Sequence, residues 1–131
     1  KEASLPRGVF VTLTYKYLFV CNYVEWTPET DLPCTVNSRL DNEQHRTYCT
    51  PTVYTGQSAR FYRNRGDGTF ADLTAQVGLY NPIGKSLGVT LLDYNRDGWM
   101  DLAVANDTEP NFLYRNNGDG TFTDEIGRAH V

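Results

Sequence analysis

Phe61-Tyr62-Arg63-Asn64-Arg65-Gly66-Asp67-Gly68-Thr69-Phe70-Ala71-Asp72 returns 52 positions later as Leu113-Tyr114-Arg115-Asn116-Asn117-Gly118-Asp119-Gly120-Thr121-Phe122-Thr123-Asp124. In each copy two alternating segments flank a Gly-Asp-Gly turn. Gly supplies the positive φ values a tight hairpin needs, so each copy reads as two antiparallel strands. A second echo lies upstream. Leu102-Ala103-Val104-Ala105-Asn106 matches Leu18-Phe19-Val20-Cys21-Asn22 at an offset of 84. The two offsets differ by 32 residues, which places an insertion at about 26–58 in the first unit.

Each unit then reads as four strands. The first gives Val9–Leu13, Leu18–Val24, Arg60–Arg63 and Thr69–Ala71. The second gives Leu87–Leu92, Asp101–Asn106, Asn111–Arg115 and Thr121–Thr123. Between them, Asp72 to Gly78 reads as one helical turn with Asp72 capping its start and Gly78 its end. Units of about 50 residues with four short antiparallel strands have the pattern of β-propeller blades. The expected fold is therefore all-β, with two four-stranded antiparallel blades. Residues 1–80 form the first, carrying the loop-rich insertion, and residues 81–131 form the second. Two blades leave open edges, so further blades or a second copy of the chain are expected to complete a ring.

Composition agrees with this reading. Among 131 residues there are 11 Gly, 10 Asn, 10 Asp and 15 Thr, a surplus of turn and strand formers over helix formers. No apolar run approaches the length of a membrane helix. The net charge of −4, without a basic cluster, argues against nucleic acid. The acids concentrate in the second half, where residues 66–131 carry ten Asp/Glu against four Lys/Arg. The Lys1-Glu2-Ala3-Ser4 start, with neither Met nor a leader pattern, suggests a processed or excised chain.

Asp93-Tyr94-Asn95-Arg96-Asp97-Gly98-Trp99-Met100-Asp101 concentrates the chemistry. Oxygen-bearing side chains fall at positions 1, 3, 5 and 9, and Gly stands at 6, where a loop wrapping an ion turns sharply. The expected ligands of a Ca²⁺ ion are the side chains of Asp93, Asn95, Asp97 and Asp101 and the carbonyl of Trp99. Ca²⁺ takes six to eight hard oxygens and suits this set better than Mg²⁺, which keeps its waters. An EF-hand is excluded, because position 12 is Val104 in a strand-like run. The role is structural, and no nucleophile, base or activated water points to an enzyme. The echo positions in the first unit are Val9, Val11, Leu13 and Tyr17, which offer no suitable oxygen ligand, so one site is expected in the chain, not two.

Asn64 to Phe70, Asp93 to Asp101, Val104-Ala105-Asn106-Asp107 and Asn111 to Phe122 together resemble the FG-GAP (VCBS) repeat family. Within it, the chain is similar to bacterial proteins related to cartilage acidic protein, which carry an ASPIC/UnbV domain downstream. Asn22-Tyr23-Val24, Pro33-Cys34 and Tyr48-Cys49-Thr50-Pro51 extend the match into the insertion. At Arg7 to Lys16 the family's further Asp-rich loop is lost, and with the downstream domain missing the chain reads as a truncated relative. The resemblance implies a Ca²⁺-stabilised propeller in an exported protein, of the kind whose calcium loops also occur in integrin α-subunits. It therefore implies a secreted, periplasmic or cell-surface location and a role in protein interaction or adhesion. Alternatives are a fragment that closes a ring by homo-oligomerisation and a glycan-binding, lectin-like propeller.

Export favours a Cys34–Cys49 disulfide over two reduced thiols, worth about 3 kcal/mol in the chain-entropy account. Cys21 reads as a small buried residue. His45 and His130 show no zinc spacing. Arg65-Gly66-Asp67 is an RGD tripeptide, but its Gly-Asp recurs in the second unit and belongs to the turn. Gly84-Lys85-Ser86 lacks the first Gly and the helix of a phosphate loop. Asn106-Asp107-Thr108 is a glycosylation sequon, relevant in a eukaryotic secretory route. Trp26 and Trp99 offer faces for sugars, although an aromatic beside an ion loop more often packs.

Overall fold

A computed structural model describes residues 11–13 and 16–126. Val9, the start of the expected first strand, His130 and the end of the tail lie outside the described residues. The described chain is all-β with small antiparallel sheets. One sheet has the order β1(Val11–Leu13), β2(Tyr17–Val20), β5(Arg60–Asn64), β6(Phe70–Asp72). A second has the order β7(Ser86–Leu92), β8(Asp101–Asn106), β9(Phe112–Asn116), β10(Phe122–Asp124). Both are simple up-and-down meanders, and between β2 and β5 the chain detours through the two-stranded β3(Thr35–Asn37) and β4(Gln44–Arg46).

The repeat is reproduced bond by bond. In the first hairpin, Gly66 N–H donates to Asn64 Oδ1 at 2.8 Å and Arg65 N–H to Thr69 O at 3.0 Å. Gly118 N–H to Asn116 Oδ1 at 3.0 Å and Asn117 N–H to Thr121 O at 3.0 Å are their counterparts. Asp67 Oδ1 accepts from both the N–H and the hydroxyl of Thr69, and Asp119 Oδ1 does the same for Thr121. Each carboxylate is held below its usual pKa range, chiefly by the Thr hydroxyl and next by the Thr amide. The RGD aspartate is thus occupied in pinning its own turn.

The two meanders face each other across the core. Alternation sends Phe19 and Phe61 from one sheet, and Leu102, Val104, Phe112 and Tyr114 from the other, into a common cluster with Val77 and Leu79 of the connector. Phe61 meets Phe122 edge to face, with ring centres 5.9 Å apart. Cys21 is buried in this cluster, as expected, and burial pushes its thiol up to about 11.

The connector from Asp72 to Gly78 forms the expected single turn. Asp72 Oδ1 accepts the Thr74 amide at 2.9 Å, and Val77 N–H reaches Leu73 O at 3.0 Å. Gly78 ends the turn at φ +85°, and a Cβ there would stand 2.7 Å from Phe122 O. That close approach lets Phe122 N–H bond Val77 O at 2.8 Å and ties the connector to β10.

One expectation needs correction. The strand expected over Leu18–Val24 ends at Val20, and Val24 keeps only an isolated bridge to Gly56. The chain leaves the sheet there because the insertion begins at once. The insertion is rich in loops, with two three-residue strands and two short turns along its length. Its stems pair at the base through Glu25 N–H to Thr55 O at 2.9 Å and Gln57 N–H to Tyr23 O at 3.3 Å. Cys34 and Cys49 form the expected disulfide, with Cα atoms 5.3 Å apart, and the β3–β4 hairpin lies beyond it.

Candidate metal centre

Asp93 to Asp101 links β7 to β8, and its backbone coils tightly. Arg96 at φ +60° and Gly98 at φ +88° both adopt the left-handed region. Gly takes this conformation without penalty, whereas Arg96 accepts it at the apex. Coiling turns the backbone N–H groups inward onto the acidic side chains. Asp97 N–H lies 3.1 Å from Asp93 Oδ1 and 3.2 Å from Asn95 Oδ1, and Gly98 N–H donates to Asp93 Oδ2 at 2.9 Å. Trp99 N–H reaches Asp97 Oδ1 at 2.8 Å, and the Asn95 amide donates to Asp97 Oδ2 at 2.7 Å. These bonds hold the Asp97 carboxyl below its usual range, the Trp99 amide most and the Asn95 amide next.

Three of the sequence-predicted residues are therefore gathered on one side of the loop. Asp93 and Asn95 present an oxygen to the same amide. Asp101 sits differently. It is fully buried, its Oδ2 accepts the Tyr94 N–H at 3.1 Å and its Oδ1 the Asn116 N–H at 2.8 Å. Its oxygens each keep a further lone pair, but its position is set by the framework. The donor set is wholly hard oxygen, which fits Ca²⁺. The indole of Trp99 lies over the β9–β10 turn, where a Cβ on Gly118 would come 2.8 Å from its Nε1. That side chain packs on the neighbouring turn.

One cluster escaped the sequence reading. Asp41, Glu43 and His45 are exposed on the β3–β4 hairpin, and their ligand atoms lie within 4.8 Å of one another. His45 Nε2 is 2.7 Å from Asp41 Oδ2. This trio has the composition to chelate a divalent ion. The turn, not the spacing, brings them together: Asn42 takes a left-handed φ of +57° between β3 and β4, and Asp41 comes back beside His45 of β4. Among the described residues, Asp93, Asp97 and Asp101 do not reach that mutual spacing.

Other motifs resolve as framework. Asn106 of the sequon donates its amide to Pro110 O at 2.7 Å, and its Oδ1 lies 3.0 Å from the Ser86 hydroxyl. Lys85 is buried and pairs with Glu109 at 3.1 Å. The hydroxyl of Tyr23, in the insertion stem, donates to Asp107, and burial together with that carboxylate pushes Tyr23 up to about 12. Among the described residues no helix is long and apolar enough to cross a membrane.

Cartilage acidic protein 1 of Homo sapiens is 45% identical over 53 residues, which cover 40% of this chain and 8% of that protein. The Mus musculus and Xenopus tropicalis proteins of the same name are 42% and 38% identical over the same length. The chain thus matches only a small part of these much longer relatives. No solved structure matches it significantly. The FG-GAP-like repeat matches twice, over residues 52–104 and 93–129, which together take in more than half of the chain. Repeats of this kind are structural and adhesion modules rather than catalysts. Two hairpins pinned by the same bonds 52 residues apart and two successive matches to one repeat lead to a single conclusion: the chain belongs to the FG-GAP-like repeat family.

Proposed function

We propose that the chain is a calcium-binding, non-catalytic β-propeller module for extracellular protein interaction or adhesion. Residues 1–80 and 81–131 would be neighbouring blades, the first carrying the insertion at about 26–58. Identical meander topology supports this, as does the approach of β1 to β7, the first strands of the two sheets. The sharing of the Asp97 amide by Asp93 Oδ1 and Asn95 Oδ1 carries the calcium reading, because it sets two hard donors side by side. Asp93, Asn95, Asp97, Asp101 and the Trp99 carbonyl would hold the ion. Bound Ca²⁺ would neutralise clustered carboxylates and stiffen the β7–β8 loop. The Cys34–Cys49 bond supports a secreted, periplasmic or cell-surface location, where disulfides persist.

Calorimetric titration of the chelated protein with Ca²⁺, beside Asp97→Ala, tests the reading. Saturable heat and a raised melting temperature are expected for the parent alone. No heat and no melting shift would remove the calcium claim. A ring completed by further copies is a second reading, favoured by the small residues Gly88, Thr90, Ala103 and Ala105 that β7 and β8 pair on the face away from the core. Light scattering showing a monomer at high protein concentration would dismiss it.

A further inference from the structure

The two sheets do not fill the space between them to its end. Where the core approaches the β7–β8 loop it opens into a cavity of about 370 Å³. Phe19, Phe61, Val77 and Leu102, all buried, form its floor. Tyr17, Leu91, Trp99 and Met100 stand at its rim, between 36% and 53% exposed. One wall is a continuous run of rings: Tyr17 stacks on Phe61 with centres 5.2 Å apart, and Phe61 meets Phe122 edge to face. The other wall is Leu91 and the Gly98-Trp99-Met100 end of the loop. A Cβ at Gly98 or Gly120 would meet nothing within 4 Å, so both glycines leave the mouth clear. A larger hollow lies where the insertion stems stand over Leu18 and Val20. That is the face on which a neighbouring blade would pack. The smaller cavity lies instead between the faces the two sheets already share, so a further blade on either outer face does not cover it.

We infer that this cavity binds a free, uncharged aromatic ligand of two fused rings, the size of indole or quinoline. Volume sets the size. A cavity of about 150 Å³ lined by Leu, Ile and Phe holds a single benzene ring, and this one is more than twice as large. The lining sets the chemistry. Among the described residues no charged side chain lines the cavity, so an ionised ligand would lose its hydration without gaining a counter-charge. The Tyr17–Phe61–Phe122 wall offers ring faces and edges to an aromatic guest, and Met100 opposite supplies a soft, adaptable thioether. Asn116, the polar side chain among the described residues away from the rim, already donates to Met100 O at 3.1 Å and accepts from Gly118 N–H at 3.0 Å. Buried amides of a polypeptide segment would go unpaired there, which favours a free ring over a partner's chain. The inference goes beyond the interaction-module reading and uses none of the side chains expected to hold Ca²⁺.

The test is titration of the oxidised chain with indole, quinoline and indolecarboxylate, followed by calorimetry and amide chemical-shift mapping, once in Ca²⁺ and once in chelator. Saturable one-to-one binding of indole and quinoline is expected, with indolecarboxylate at least tenfold weaker. The perturbed amides should fall at residues 17–19, 73–77 and 91–102. Leu91→Trp, at the rim, should plug the mouth and weaken binding at least tenfold, while Tyr80→Ala leaves it unchanged. Mapping on the parent chain stands if the Leu91 variant fails to fold. Silence with both neutral rings in both conditions, indolecarboxylate binding as tightly as indole, or shifts confined to the insertion would overturn the inference. Indole bound by a chain that gives no heat with Ca²⁺ would support it while removing the calcium claim.

Discussion

Asp101 Oδ1 accepts the backbone N–H of Asn116 at 2.8 Å, so the last acid of the β7–β8 loop is fastened to the strand that leads into the β9–β10 turn. Its other oxygen holds the Tyr94 amide. Asp101 therefore organises the loop from its buried end, whereas Asp93, Asn95 and Asp97 organise it from the exposed end.

This division predicts different behaviour for two acids of one motif. Asp101→Ala strands two amides in a buried site and should lower stability by about 3 kcal/mol even in chelator. Asp97→Ala, at the exposed end, should change stability in chelator by less than about 1 kcal/mol, yet abolish any stabilisation by Ca²⁺. Urea denaturation of both variants with and without the ion measures the contrast.

Gly78 is the junction between the units. Ala there must hold a left-handed φ with its Cβ against Phe122 O, so Gly78→Ala should destabilise the chain by about 2 kcal/mol. Gly68→Ala meets open space at a similar φ and should lose less, about 1 kcal/mol. Equal losses in parallel denaturation curves would refute the close approach.

Acid should weaken the fold through the same carboxylates that pin the turns. Asp67, Asp97 and Asp119 all have lowered pKa values in the folded state. Their contribution is present above the unfolded value, about 4, and is lost as pH falls through the lower folded values. The urea midpoint should drop in that window, and the drop should shrink in a Thr69→Val, Thr121→Val double variant.

Reduction of Cys34–Cys49 should act locally. The chain-entropy account assigns the bond about 3 kcal/mol for a loop of this length. Hydrogen exchange after reduction should rise across residues 26–55 and stay unchanged in β7 to β10. A uniform rise would show that the insertion and the sheets unfold together.

The parts of this fold that sequence discloses are those built from neighbouring residues. The hairpins were legible because Asn64, Asp67 and Thr69 bond within five positions of one another. The expected second-unit strands fall within a residue of those observed for the same reason. Long-range contacts left no such trace. Nothing in the sequence around Asp101 announces the Asn116 amide, and nothing in Pro28 to Val53 announces that its stems would stand over Leu18 and Val20. Val24 misled because its apolar run continues past the point where the sheet does. The hairpin cluster of Asp41, Glu43 and His45 escapes a sequence reading because it depends on the β3–β4 turn, where Asn42 takes a left-handed φ of +57°.

The paired stems at Tyr23–Glu25 and Thr55–Gln57 have a consequence for how the molecule can vary. Entry and exit of the detour meet side by side, so β2 and β5 experience it much as they would a short turn. Loop closure depends only logarithmically on length, so residues can be added or removed beyond the disulfide with little effect on the sheet. The detour is in this sense a cassette: its contents can be exchanged while the scaffold that carries it keeps its register.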